Sequence, residues 1–216
     1  FRSTGAQRRV GEEIARDLGA TQPMHRLLQG DVGSGKTVVA ALAACTAIDA
    51  GWQCALMAPT EILAEQHFAK LVEWLEPLLA PLGQRVAWLT GSQKKKARAE
   101  MLALIESGEA ALVVGTHAVI QAQVRFARLG LAIIDEQHRF GVEQRLALRQ
   151  KMSDLLPLPL AAGGRGEGRV CPTADAGGPH PDLPPAGEGA NAEPHLLMMS
   201  ATPIPRTLAM SYYADL

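Results

Sequence analysis

Eight residues limit what this chain can fold into more than any others. Gly30-Asp31-Val32-Gly33-Ser34-Gly35-Lys36-Thr37 fits the pattern GxxxxGK, followed by Ser or Thr, at every position. Small residues in such a loop let backbone N–H groups wrap a polyphosphate, and a helix that starts there adds the positive end of its dipole. The pattern demands a strand before it and a helix after it. Arg26-Leu27-Leu28-Gln29 is the expected strand, and an alanine-rich helix is expected from Lys36 to about Ala50, closed by Gly51. Lys36 is then placed to reach the outer phosphates as a point charge, and Thr37 to offer a hydroxyl to Mg²⁺. The residues from Gly30 to Thr37 are therefore the expected ATP-binding set.

The rest of the chain repeats that alternation. Short apolar runs at Cys54–Met57, Arg85–Leu89, Ala111–Val114, Leu131–Ile134 and Leu196–Met199 read as strands. Between them, Ile62, Leu63, Phe68, Leu71, Val72 and Leu75 recur at helical spacing. Lys94–Ser107 reads as a further helix, with Met101, Leu102, Leu104 and Ile105 towards its core side. The pattern predicts an α/β fold, a mainly parallel sheet flanked by helices. At 216 residues, one sizeable domain is expected.

The segment from Leu156 to Pro194 breaks the pattern. It holds 8 of the chain's 14 prolines and 8 of its 21 glycines, with almost no apolar periodicity. Such a composition buries too little surface to offset its ordering entropy, which predicts a disordered insertion at 156–194. The chain starts at Phe1 and stops at Leu216 just after a helical-looking run, so it reads as a piece of a longer protein.

Composition narrows the partners only a little. A net charge of −1 carries no whole-chain signal for nucleic acid, so any DNA surface must be local. Lys94, Lys95 and Lys96 with Arg98 form one basic cluster, read first as a solvated helix face and second as extra phosphate affinity. Cys45, Cys54 and Cys171 are odd in number and form no CxxC pair, which suits reduced thiols. No signal peptide and no apolar run near the ~20 residues of a bilayer span are visible, so the expected place is the cytoplasm with no membrane partner.

The apolar strand Leu131–Ile134 runs directly into Asp135-Glu136-Gln137-His138. Acidic residues at the end of a buried parallel strand emerge at the carboxyl edge of the sheet, where open α/β folds bind ligands. Asp135 is placed to hold Mg²⁺, and Glu136 to orient or deprotonate an attacking water. Gln137 and His138 have no part in binding a phosphate on general grounds. Ser200-Ala201-Thr202 follows the last apolar strand, where small hydroxyl residues could bond His138 or the acidic box; taken alone it is a turn.

Together these segments resemble the superfamily 2 helicases. Gly30–Thr37 looks like motif I, Ala58–His67 like motif Ia, Asp135–His138 like motif II and Ser200–Thr202 like motif III. Leu89-Thr90-Gly91 and Val114-Gly115-Thr116-His117 look like further DNA-contacting motifs of that superfamily. Asp-Glu-Gln-His running on into Arg139-Phe140-Gly141-Val142, with Thr202–Met210, resembles the RecG branch of bacterial branched-DNA helicases; Gln137 favours it over the transcription-repair coupling translocases.

The resemblance implies a RecA-like P-loop NTPase fold and a place as the first of two motor domains. It implies Gln7 as an adenine contact, and Lys36, Asp135, Glu136 and His138 as catalytic residues. Thr60, Thr90, Gly91 and Thr116 would grip the DNA backbone, while Gln137, Ser200 and Thr202 would couple nucleotide state to motion. The implied partners are branched DNA and two domains that this chain lacks, a second RecA-like domain supplying an arginine and a wedge domain. It also implies a bacterial, nucleoid-associated location. A transcription-repair translocase and a nucleotide-switched interaction module stay open as alternatives.

Overall fold

A computed structural model describes residues 4–20, 22–136 and 194–201. The expectations placed on Gln137, His138, Thr202, Cys171 and all of the 156–194 insertion but its last residue fall outside the described residues.

Among the described residues, six strands form one sheet: β1 (His25–Gln29), β2 (Gln53–Met57), β3 (Arg85–Leu89), β4 (Ala110–Gly115), β5 (Leu129–Ile134) and β6 (His195–Ser200). Their order is β1-β6-β5-β2-β4-β3, and every adjacent pair is parallel. Among the described residues, four α-helices accompany them: α1 (Gly5–Leu18), α2 (Lys36–Asp49), α3 (Glu61–Leu79) and α4 (Lys95–Ser107). The expected strands and the helices after the phosphate loop all appear, with ends displaced by a residue or two.

Strand alternation sorts the core onto two faces of the sheet. Cys54, Leu56, Leu112, Val114, Leu131, Ile133, Leu197 and Met199 pack with α1, α2 and α3. On the other face, Ala55, Ala87, Leu89 and Val113 pack with Ile105 of α4, while Met57, Ala132, Ile134, Leu196 and Met198 form a separate cluster. Helix α2 is apolar nearly all round, and its buried Ala40, Ala41, Ala43, Ala44 and Ala47 let it lie close between its neighbours.

Helix α1 was not anticipated from periodicity. A capping box starts it, in which Thr4 Oγ1 accepts from the Gln7 N–H (3.2 Å) and Gln7 Oε1 accepts from the Thr4 N–H (2.9 Å). Arg26 of β1 ties it to the sheet through Glu13 and Asp17. The hydrogen bond and charge of Asp17 push the guanidinium pKa up.

One detail of the helical spacing in α3 is corrected. Ile62 is 71% exposed, because the buried line runs through Ala64, Phe68, Leu71, Leu75 and Leu79. At 3.6 residues per turn, Ile62 stands roughly 140° round the helix from the centre of that line.

Candidate functional site

An all-parallel sheet delivers the carboxyl ends of its strands to one edge. Along that edge the order is the phosphate loop after β1, Ser200 at the end of β6, Asp135 after β5, Thr60 after β2, Thr116 after β4 and Thr90 after β3. All the described residues expected in the site follow the carboxyl ends of strands, except Gln7. That residue reaches the edge from α1.

The phosphate loop is shaped by its backbone. Gly33 and Gly35 adopt φ of +82° and +84°, a conformation that disfavours any side chain. Gly35 is the N-cap of α2 and offers no side-chain cap, so the first N–H groups of the helix face outward as an anion would need them. Ser34 N–H donates to the Asp31 carbonyl (3.1 Å), and Gly30 N–H to the Ser200 carbonyl (3.3 Å), which ties the loop to β6. Lys36 Nζ donates to the carbonyl oxygens of Gly30 (2.6 Å) and Asp31 (3.0 Å). Val32 is 89% exposed at the tip.

Gln7 is brought onto this loop. Its Nε2 donates to the Ser34 carbonyl (2.9 Å) while its Oε1 serves the capping box. A Cβ at Gly35 would come within 2.2 Å of that Nε2, which the flexible Gln7 side chain could yield, so it is φ that calls for glycine here. The Gln7 amide keeps one N–H and one lone pair beyond these bonds.

Asp135 is buried, at 7% exposure, and both its oxygens are held. Oδ2 lies 2.6 Å from His67 Nε2, and Oδ1 accepts from the Glu136 N–H (3.0 Å). Its own N–H donates to the Met57 carbonyl (2.9 Å), continuing the β5–β2 ladder. Glu136 has φ +50°, the one described non-glycine residue in the left-handed region. Strain of that kind costs roughly 1–3 kcal/mol and collects at functional sites.

Magnesium fits this donor set as a shared ligand. Asp135 and Thr37 supply hard oxygen donors, and the strands that lead to them, β5 and β1, reach the same carboxyl edge with β6 between them. Among the described residues no cluster of three or more His, Cys, Asp or Glu side chains could hold an ion by itself. A cation bound here would rely on the nucleotide's own oxygens and on water, as Mg²⁺ commonly does.

The far half of the edge is built differently. Thr60 is the N-cap of α3 and accepts from the Leu63 N–H (3.3 Å). The carboxylate of Glu61 accepts from both the N–H (3.3 Å) and the hydroxyl (2.9 Å) of Ser92, locking the turn that contains Gly91. Thr90 is 1% exposed, with Oγ1 3.3 Å from Ser92 Oγ and its N–H donating to Gln93 Oε1 (3.3 Å). Arg98 donates to the Thr90 carbonyl (2.9 Å) and to Gln121 Oε1 (2.7 Å), so its guanidinium is a brace for this turn.

Thr116 is 4% exposed, and its N–H donates to the Leu89 carbonyl (3.3 Å). Gly115 before it is irreplaceable on steric grounds, since a Cβ there would stand 1.8 Å from the Leu89 oxygen. Thr60 and Gly91 lie at the surface, whereas Thr90 and Thr116 are buried just behind it.

Residue types and spacing had not singled out His67, Glu61 or Gln93, nor the bracing role of Arg98. Each acts on a partner that is close only once the strand order is known: His67 and Asp135 stand 68 positions apart, Glu61 and Ser92 31.

Residues 4–211 match the family described as DEAD/DEAH box helicase. The chain is 50% identical over 216 residues to the ATP-dependent DNA helicase RecG of Escherichia coli O157:H7, covering 100% of this chain and 26% of that protein. The same figures hold for the RecG of Haemophilus influenzae. Among solved structures, RecG bound to a three-way DNA junction matches with 38% identity and a TM-score of 0.67, over 100% of this chain and 23% of that one. A DEAD-box helicase bound to single-stranded RNA, 15% identical, shares the fold at a TM-score of 0.64 over 97% of this chain and 37% of that one. The fold is RecA-like. The chain spans about a quarter of the length of the curated relatives it matches.

Proposed function

Because the chain belongs to the DEAD/DEAH box helicase family, we propose that it is the ATP-binding half of a DNA-translocating motor. Its substrate is branched DNA, such as stalled forks and Holliday junctions, in recombination and repair. One observation carries the reading. A single sheet edge holds the phosphate loop, Ser200 and Asp135 on one half, and Thr60, Thr90 and Thr116 on the other. The second half has no use in a small-molecule kinase. Kinship with RecG adds the branched substrate, since the junction-bound relative matches this chain over its whole length.

In this mechanism ATP seats its phosphates over the N-terminus of α2, and Lys36 exchanges two carbonyl partners for phosphate oxygens. Gln7 reads the adenine with its remaining N–H and lone pair. Thr37 and Asp135 hold Mg²⁺, which when bound offsets the charge developing on the transferred phosphoryl group. Glu136 orients the attacking water and accepts its proton. His138 contributes to catalysis, and Gln137, Ser200 and Thr202 carry the nucleotide state onward. Thr60, Thr90, Gly91 and Thr116 hold DNA phosphates by polar and main-chain contacts, which are indifferent to base sequence and suit a translocase.

A second RecA-like domain supplies an arginine, and a wedge domain splits the junction. Arginine fingers contribute about 10³–10⁵ in rate, so this chain by itself should turn over slowly. The segment 156–194 is a tolerated insertion in the first motor domain. No described helix is long and apolar enough to cross a membrane. The protein acts on nucleoid DNA in the bacterial cytoplasm.

The test is ATP turnover at the length of the relatives, compared on forked, linear duplex and single-stranded DNA. Forked DNA should stimulate most. Turnover indifferent to every DNA would replace the motor with a nucleotide-switched interaction module.

A further inference from the structure

Helix α3 begins on one half of the carboxyl edge and reaches the other within two turns. Its cap Thr60 and first residue Glu61 belong to the DNA half, where Glu61 holds Ser92. On the same helix, His67 meets the acidic box. Its Nε2 lies 2.6 Å from Asp135 Oδ2, and the two side chains are only 11% and 10% exposed. Of the segment Ala58–His67, Thr60 is proposed above to hold DNA, and that role leaves the buried contact of His67 to the metal-side carboxylate unexplained.

The contact has a geometric effect. Oδ1 of Asp135 is taken by the Glu136 N–H, so with Oδ2 held by His67 the carboxylate has one orientation. The lone pairs that remain are the ones a cation could use. Loss of a partner that orients a ligating group typically costs about 10–100-fold in metal affinity or activity. A rigid helix links that orientation to the turn bearing Thr60 and Glu61, roughly 10 Å away along its axis.

We propose that His67 is a positioning residue for Asp135, making α3 a strut through which DNA held at Thr60 and the Ser92 turn sets the aim of the metal-binding carboxylate. The proposal rests on the motor reading for its DNA arm, and on the His67–Asp135 contact alone for its metal arm.

The experiment uses the protein at the length of its relatives. Binding of a fluorescent ATP analogue is titrated against Mg²⁺, and the factor by which forked DNA raises turnover is measured at saturating Mg²⁺. For His67→Ala the Mg²⁺ midpoint is expected to rise about 10-fold and the stimulation factor to fall about 10-fold, the lower end for such partners. DNA affinity without nucleotide should stay within about twofold of wild type if the contact only aims Asp135. His67→Gln keeps a donor of similar reach and should recover a large part of both effects.

A wild-type midpoint together with a wild-type stimulation factor in His67→Ala overturns the proposal. Lowered thermal stability and DNA affinity in both variants, with no rescue by Gln, also overturns it, since His67 would then serve packing alone. Failure of the motor reading looks different. The unaltered protein would show no DNA stimulation at all, while the Mg²⁺ midpoint would still report on the His67–Asp135 pair.

Discussion

The two halves of the carboxyl edge reach their shapes by different means. On the nucleotide half, the backbone does the shaping: Gly33, Gly35 and Glu136 have positive φ, and the polar groups that face a ligand are largely N–H groups of the loop and of α2. On the half proposed to hold DNA, no positive φ occurs at Thr60, Gly91 or Thr116. There the turns are ordered by side chains from other segments, namely Glu61 on Ser92, Gln93 on Thr90, and Arg98 on Thr90 and Gln121. A pocket for one fixed polyphosphate gains from a rigid backbone cradle. A surface that must take and release successive phosphates is served by turns whose order comes from exchangeable side-chain bonds.

Three substitutions or conditions press on that contrast. The largest effect belongs to Glu136→Gln, which leaves the backbone cradle intact while removing the proposed base. DNA-stimulated turnover should fall by about 100-fold or more, the usual contribution of a general base, with ATP-analogue binding preserved. Lost binding would mean that Glu136 shapes the cradle instead of acting on water.

Glu61→Ala probes the other half. Removing a negative charge from the proposed DNA surface should by simple electrostatics tighten binding. If Glu61 instead orders the Ser92 turn, affinity should drop about threefold, the net worth of a typical exposed hydrogen bond. ATP-analogue binding should not change. Tighter DNA binding would remove the side-chain basis claimed for this half.

The smallest effect lies at the opposite end of the nucleotide half. His195 Nδ1 accepts from the Met24 N–H (2.9 Å), and burial holds this imidazole below the usual histidine pKa. A lowered folded-state pKa means that the unfolded chain binds the proton first. The stability contribution is therefore complete above the ordinary value of about 6.5 and declines as pH falls through the folded-state value. The thermal midpoint should drop between pH 7.5 and 5.5 by an amount that His195→Gln reduces; equal drops in both proteins would assign the pH effect elsewhere.

This division also explains what could be read in advance. Gly33, Gly35 and Lys36 were legible because backbone conformation and an anion site leave local signatures: glycine where φ is positive, a strand before and a helix after. The strands were legible because parallel strands buried on both faces become short apolar runs, as in Leu131–Ile134. The His67–Asp135 and Glu61–Ser92 pairs were not. Their meaning depends on β2 lying beside β5 and on α3 spanning the sheet edge, facts of strand order that no local pattern carries. Helix α1 was missed for another reason, since its apolar face is narrow and its start depends on the Thr4–Gln7 capping box.

The position of β1 has a consequence for how the molecule comes into being. This strand, which delivers the phosphate loop, stands at the edge of the described sheet and pairs with β6 alone, His25 opposite Leu196 and Gln29 opposite Ser200. Met24 and His195, bonded at that seam, are 171 positions apart. Contacts of such range form slowly, because the intervening chain must be closed before they are rewarded. On the ribosome, at about 5–20 residues per second, β1 should wait on the order of ten seconds or more for its partner. The nucleotide site would then be among the last parts of the domain to acquire its native form, although its strand is among the first to emerge.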